Sequence, residues 1–88
     1  MDAEKKKALQ ALKTARGQID GIIKMIEDER YCMDVSNQIS AAQSLLKRAH
    51  LMNLKSHLNH CVKQAMQEGD SDGKVDEIID VIEKMISK

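Results

Sequence analysis

The feature that most constrains this chain is a stretch of about 34 residues, from roughly residue 33 to 67, that contains neither Gly nor Pro and keeps helical apolar spacing throughout. Val35, Ile39, Ala42, Leu46, Ala49 and Leu54 make one stripe, and Leu45, Met52 and Leu58 widen it. Gly69 follows as a C-terminal cap. At about 1.5 Å per residue such a helix is roughly 50 Å long. A compact chain of 88 residues has a radius of gyration of about 12 Å. One copy cannot cover this helix, so the pattern predicts a homo-oligomer with it at the centre.

The flanking segments also read as helices. Leu9, Leu12, Ile19, Ile22, Ile23 and Ile26 recur at helical spacing between about Ala3 and Asp28, and the acidic turn Glu27-Asp28-Glu29-Arg30 ends that run. Gly17 and Gly21 form a small pair four residues apart that is expected to admit close packing of another helix. Asp70-Ser71-Asp72-Gly73 reads as a capped turn, and a third helix is expected from about Lys74 to Ile86. The chain has no Pro, Phe or Trp and one Tyr, which favours helix over sheet and removes the usual stacking platforms for single-stranded nucleic acid. The expected fold is all-α: a single domain over residues 1–88, with helices at about 3–28, 33–67 and 74–86. A domain this small buries only about 60–65% of its unfolded surface. Oligomerisation or a metal commonly makes up the difference.

The N-terminus Met-Asp-Ala-Glu-Lys-Lys-Lys has no apolar stretch behind it, and no apolar run approaches the roughly 18–20 residues that span a bilayer. A cytosolic protein with no membrane partner is expected, and there two reduced Cys point to metal or redox work. Net charge is zero but segregated. Residues 1–25 carry six basic and three acidic side chains, and residues 35–67 carry four basic and none acidic. Residues 26–34 and 68–88 are acidic in balance. Two readings stand: ordinary solvated helix faces, or a basic face for a polyanion built from the first and second helices. There is no nucleophile with a paired base and no phosphate loop, so an enzyme is not expected.

His57 and Cys61 are four residues apart, one turn along one helical face, where both can grip one metal ion. A His and a Cys at that spacing are also common as core residues. Cys32 changes the reading. It precedes His57 by 25 residues, about 37 Å along a continuous helix. The two cannot meet in one chain, but they can in an antiparallel pair of these helices. Two-fold symmetry then repeats each contact and places the symmetry centre near Leu45 and Leu46, among Ala41, Ala42, Ser44 and Ala49. Two identical sites result, each with Cys32 from one chain and His57 plus Cys61 from the other. Two thiolates and an imidazole suit Cu(I), whereas structural Zn(II) normally takes four ligands. His50 and His60 are further candidates, and His60 is read as facing solvent or standing behind the ligands.

The segments Leu12-Lys13-Thr14-Ala15-Arg16-Gly17-Gln18-Ile19-Asp20-Gly21-Ile22, Tyr31-Cys32-Met33-Asp34-Val35 with Gln38-Ile39-Ser40-Ala41, and His57-Leu58-Asn59-His60-Cys61 carry a resemblance. Over essentially its whole length the chain resembles the copper-sensitive operon repressor family of bacterial transcriptional regulators. The resemblance implies a three-helix protomer, an antiparallel homodimer and a dimer of dimers. It implies Cu(I) on Cys32, His57 and Cys61, with Tyr31 and Glu77 as supporting partners near the metal and His57. It also implies double-stranded operator DNA as partner, bound by the apo homotetramer and released on Cu(I) binding. Lys13, Arg16 and Arg48 are then the matching DNA contacts, with Lys5, Lys6, Lys7 and Lys47 able to add phosphate contacts. Some relatives carry an Arg where this chain has Ala11. Nickel and cobalt sensors of the family use an extra N-terminal His, absent here before Lys5, and persulfide sensors keep both Cys but lack the His. A repressor sensing persulfide through Cys32 and Cys61, or a copper-buffering helical protein without DNA binding, remain the alternatives.

Overall fold

The computed structural model describes the backbone of residues 1–69 and 71–86, and the side chains of these except 61, 62, 65, 71, 72 and 74. It contains α1 (Ala3–Glu27), α2 (Cys32–Glu68) and α3 (Ser71–Ile86), with no strand among the described residues. The first two helices form an antiparallel hairpin: Ile22 packs on Val35 and Ala42 near the turn, while Asp2, ahead of α1, reaches Ser56 and His60 far along α2. The third helix folds back on the C-terminal half of α2, bringing Glu77 to His57. The principal extents are 56 × 28 × 13 Å. A helix with its side chains is about 10–12 Å across, so the protomer is a slab one helix thick. Its radius of gyration, 17.1 Å, exceeds the ~12 Å of a compact chain of this length.

The hairpin seam is made of small residues. Ala8, Ala11, Ala15 and Ile22 of α1 are buried, as are Val35, Ala42, Ala49 and Ser56 of α2. The α2 set recurs every seven residues, the interval that keeps one seam facing a partner helix. Alanines let the axes approach closely, because interaxial distance follows side-chain size. The larger apolar residues of the first helix lie elsewhere. Leu9, Leu12, Ile19, Ile23 and Ile26, which recur at helical spacing in the sequence, are 41–59% exposed. The alanines occupy the inner seam, and the larger residues look outward from the slab. Nothing lies within 4 Å of a Cβ built on Gly17 or Gly21, so the expected close helix packing there is not made within the protomer.

The turn between α1 and α2 is a Schellman motif. Glu29 N–H donates to Ile26 O at 3.0 Å, and Arg30 N–H to Met25 O at 2.9 Å. Glu29 sits at φ 56°, the left-handed position that Gly usually fills. An L-residue loses roughly 1–2 kcal/mol there, and Gly returns about 0.5–1 of it as chain entropy. Glu29→Gly is therefore expected to stabilise the fold by up to ~1 kcal/mol, and Glu29→Val to destabilise it, as read from urea midpoints at fixed protein concentration.

Gly69, at φ 80°, closes α2 in the same conformation. The third helix then begins at Ser71, three residues before the expected Lys74. Gly73 is accommodated in the first turn, where the leading N–H groups have no intrahelical partner. Asp70, read as part of the turn, lies outside the described residues. No helix among the described residues is long and apolar enough to cross a membrane.

Candidate functional site

The heptad stripe of α2 next to the hairpin seam carries the candidate chemistry. Cys32, Ile39 and Leu46 are spaced by seven, and Ser36, Gln43, His50 and His57 form the adjoining row. Ile39 and Leu46 remain exposed, so this stripe is uncovered in the protomer. Cys32 is the first residue of α2 and a free, exposed thiol. It lines a groove of about 490 Å³ with Ile26, Glu29, Arg30, Val35, Ser36 and Ile39. The backbone carbonyl of Tyr31 starts the helix by accepting the N–H groups of Asp34 and Val35 at 3.0 and 3.2 Å.

His57 lies near the other end of α2, half-buried, with Nε2 3.2 Å from Glu77 Oε1. A carboxylate placed beside the ring from α3 sets the ring's orientation, the usual arrangement behind a ligating His. His50, Asn53, Leu54 and Val81 line the groove around this pair. The structure thus brings Glu77 to His57, but Tyr31 and Cys32 lie at the opposite end of α2. Cys61 lies one turn beyond His57 in α2; its side chain is outside the described residues. Among the described side chains of one protomer, no three metal-ligating groups meet. The donor set nonetheless suits a soft monovalent metal, given a free thiol and an imidazole with a carboxylate beside it.

The expected basic residues spread around the exposed side of the hairpin. Lys7 of α1 and Arg48 of α2 meet across one groove, with Gln10, Ala11, Thr14 and Leu45. Lys6 and Lys13, seven apart, form the next stripe of α1. Arg16 and Lys47 are exposed but do not line that groove. Lys5 instead faces the His57 end, lining a cavity of about 320 Å³ with Asn53, Ser56, His57 and His60.

One cluster was missed in the sequence. Asp2 caps α1 by accepting Lys5 N–H on Oδ1 at 2.7 Å, while its Oδ2 accepts Ser56 Oγ at 2.7 Å and lies 2.8 Å from His60 Nε2. His60, expected to face solvent or stand behind the ligands, has an exposed ring tied to α1. The Lys5 N–H above all, then Ser56 and His60, hold the Asp2 carboxyl at about 2, well below its ordinary value of 3.8. A depressed carboxyl stabilises the fold above its ordinary value and loses that effect as pH falls through about 2. At neutral pH the cluster is therefore fully ionised at Asp2. An N-cap signal was legible in Asp2-Ala3-Glu4, but its partner 54 residues away was not.

Residues 4–84 match the family model described as metal-sensitive transcriptional repressor. A copper-sensing transcriptional repressor CsoR of Mycobacterium ulcerans (strain Agy99) is 47% identical over 79 residues, covering 90% of this chain and 68% of that protein. The protein of the same name from Bacillus subtilis (strain 168) is 41% identical over 81 residues, covering 92% of this chain and 80% of its own length. The crystal structure of the copper-sensing repressor CsoR with Cu(I) from Geobacillus thermodenitrificans NG80-2 superposes with a TM-score of 0.85 at 38% identity, covering 99% of this chain and 91% of that one. The chain belongs to the metal-sensitive transcriptional repressor family.

Proposed function

We propose that this chain is a cytoplasmic Cu(I)-responsive repressor, which binds double-stranded operator DNA as an apo homotetramer and lets go when Cu(I) enters a site shared by two protomers. The observation that carries the reading is the His57–Glu77 contact at 3.2 Å, on a helix whose Cys32 lies about 37 Å away along the same uncovered stripe. Antiparallel pairing of two α2 helices would set Cys32 of each chain against His57 and Cys61 of the other. When bound, Cu(I) supplies a soft centre that two thiolates and an imidazole hold together across the chain boundary. Glu77 orients the His57 ring from α3, so occupation of the site bears on α2 and α3 at once. Tyr31, directly before Cys32, would stand beside the partner's His57 in the paired arrangement. Identity with repressors named for copper sensing supports the choice of metal.

On the DNA side, Lys7 and Arg48 across their groove, with Lys6, Lys13, Arg16 and Lys47 on the exposed helix faces around it, would neutralise phosphates, and Lys5 would add a contact from the His57 end. Negative linkage between the sites follows if the metal-bound arrangement presents these residues in a geometry that duplex DNA matches poorly.

The test is an anisotropy titration with a fluorescein-labelled duplex selected by the apo protein from a random pool. Cu(I) is expected to weaken binding by roughly 5–150-fold, and His57→Ala is expected to keep apo binding and lose the response. Sequence-selective binding that responds to a persulfide donor, with a Cys32–Cys61 crosslink, and not to Cu(I) would replace the metal reading with a thiol-redox one. Tight Cu(I) binding without salt-dependent DNA binding would leave a copper buffer.

A further inference from the structure

The turn of α2 from Ser56 to His60 is gripped from two sides. From α3, Glu77 reaches His57 Nε2 at 3.2 Å. From the start of α1, the Asp2 carboxylate receives Ser56 Oγ at 2.7 Å and lies 2.8 Å from His60 Nε2, while also capping its own helix at Lys5 N–H. Ser56 is fully buried in the hairpin seam. Its hydroxyl has no water to turn to, so leaving it unpaired is costly. Lys5, Lys6 and Lys7 follow within the first turns of the helix that Asp2 caps. One carboxylate therefore joins the α2 turn that carries His57, and leads on to Cys61, to the basic start of α1.

We infer that Asp2 is the positioning residue that couples the metal-site turn of α2 to the Lys5-Lys6-Lys7 end of α1, through its shared bonds to Ser56, His60 and the first turn of α1. This rests on the reading of the chain as a Cu(I)-responsive repressor. Bonds of 2.7–2.8 Å leave little slack, since hydrogen bonds weaken steeply once distance and angle depart from their optimum. A tilt of the Ser56–His60 turn on metal loading must either drag Asp2 with it or break the tie. In both cases the first turn of α1 changes, and with it the placement of Lys5, Lys6 and Lys7. A tie that is made in one state and broken in the other would be the two-state element that coupling requires.

Asp2→Asn and Asp2→Ser test this cleanly. Asn and Ser cap helices as well as Asp does, so α1 keeps its start, but neither offers an ionised two-oxygen acceptor. Ser56→Ala removes the buried partner instead. For each variant, affinity for the labelled duplex is measured without and with Cu(I), Cu(I) affinity is measured by bicinchoninate competition, and helicity by circular dichroism. The expected result is near wild-type helicity and Cu(I) affinity, with the ratio of apo to Cu(I)-loaded DNA affinity falling at least about fivefold toward unity. Asp2→Asn combined with Ser56→Ala should add little to either change alone, because the two partners share one interaction. An intact wild-type response that Asp2→Asn and Asp2→Ser both retain overturns the inference alone. A wild-type chain whose DNA affinity ignores Cu(I) overturns the repressor reading and the inference with it.

Discussion

An equal mixture of Cys32→Ala and His57→Ala chains is expected to bind Cu(I) tightly, although neither variant does so alone. In each pure variant every site lacks one ligand. Loss of a mere supporting partner lowers metal affinity by about 10–100-fold, so loss of a ligand is expected to exceed about 100-fold. In a mixed dimer one site takes Cys32 from the His57→Ala chain, and His57 with Cys61 from the Cys32→Ala chain, and is whole. The other site lacks both. Random pairing makes half of the dimers mixed with one intact site each, so tight capacity returns to roughly one quarter of wild type. Unfolding the variants together, refolding them and titrating with Cu(I) against bicinchoninate gives the number directly. A site within one chain would leave the mixture as inert as its parts.

The second large effect concerns a residue that touches no metal. Leu46 lies on the same heptad row as Cys32 and is exposed in the protomer. It also lies where the symmetry centre of an antiparallel α2 pair would fall. Leu46→Glu would then bury two like charges close together, each carrying an effective desolvation penalty of several kcal/mol. The expected result is a shift to monomers in sedimentation velocity, together with loss of tight Cu(I) binding, although Cys32, His57 and Cys61 are all intact. Helicity of the α1–α2 hairpin should survive, because its seam of Ala8, Ala11, Ala15, Ala42 and Ala49 does not involve Leu46. A Leu46→Glu chain that stays assembled and binds Cu(I) normally would remove α2 from the centre of the assembly.

The three helices were legible because apolar spacing and the acidic and glycine-containing turns agree. Which apolar face would be covered was not. Both the alanine row and the Leu/Ile row of α1 repeat at helical spacing, and hydrophobicity favours the larger side chains as core. The competing factor is approach distance: two helices can close on Ala8, Ala11 and Ala15 in a way they cannot on Leu9 and Leu12. Gly73 looked like a helix breaker and proved tolerable in a first turn. At the site, the four-residue spacing of His57 and Cys61 and the length of α2 pointed to a shared site, while Glu77 beside His57 was visible only through family resemblance. The Asp2–Ser56–His60 tie had no local signal. Ser56 reads as one more polar helix residue until the Val35-Ala42-Ala49 row shows that it stands in the seam.

The one-helix-thick slab would also set an order of events in a growing cell. The hairpin makes its contacts within one chain, and helical hairpins of this kind are expected to form fast. A site shared by two chains would await an encounter. The outward row of Leu9, Leu12, Ile19, Ile23 and Ile26 would make that encounter favourable, at a frequency set by how many copies are present. A freshly made, scarce chain would be a finished hairpin that is blind to copper, since the ligands it carries would belong to half-sites. Sensitivity would then switch on with abundance, and dilution at division would return some molecules to the unresponsive form.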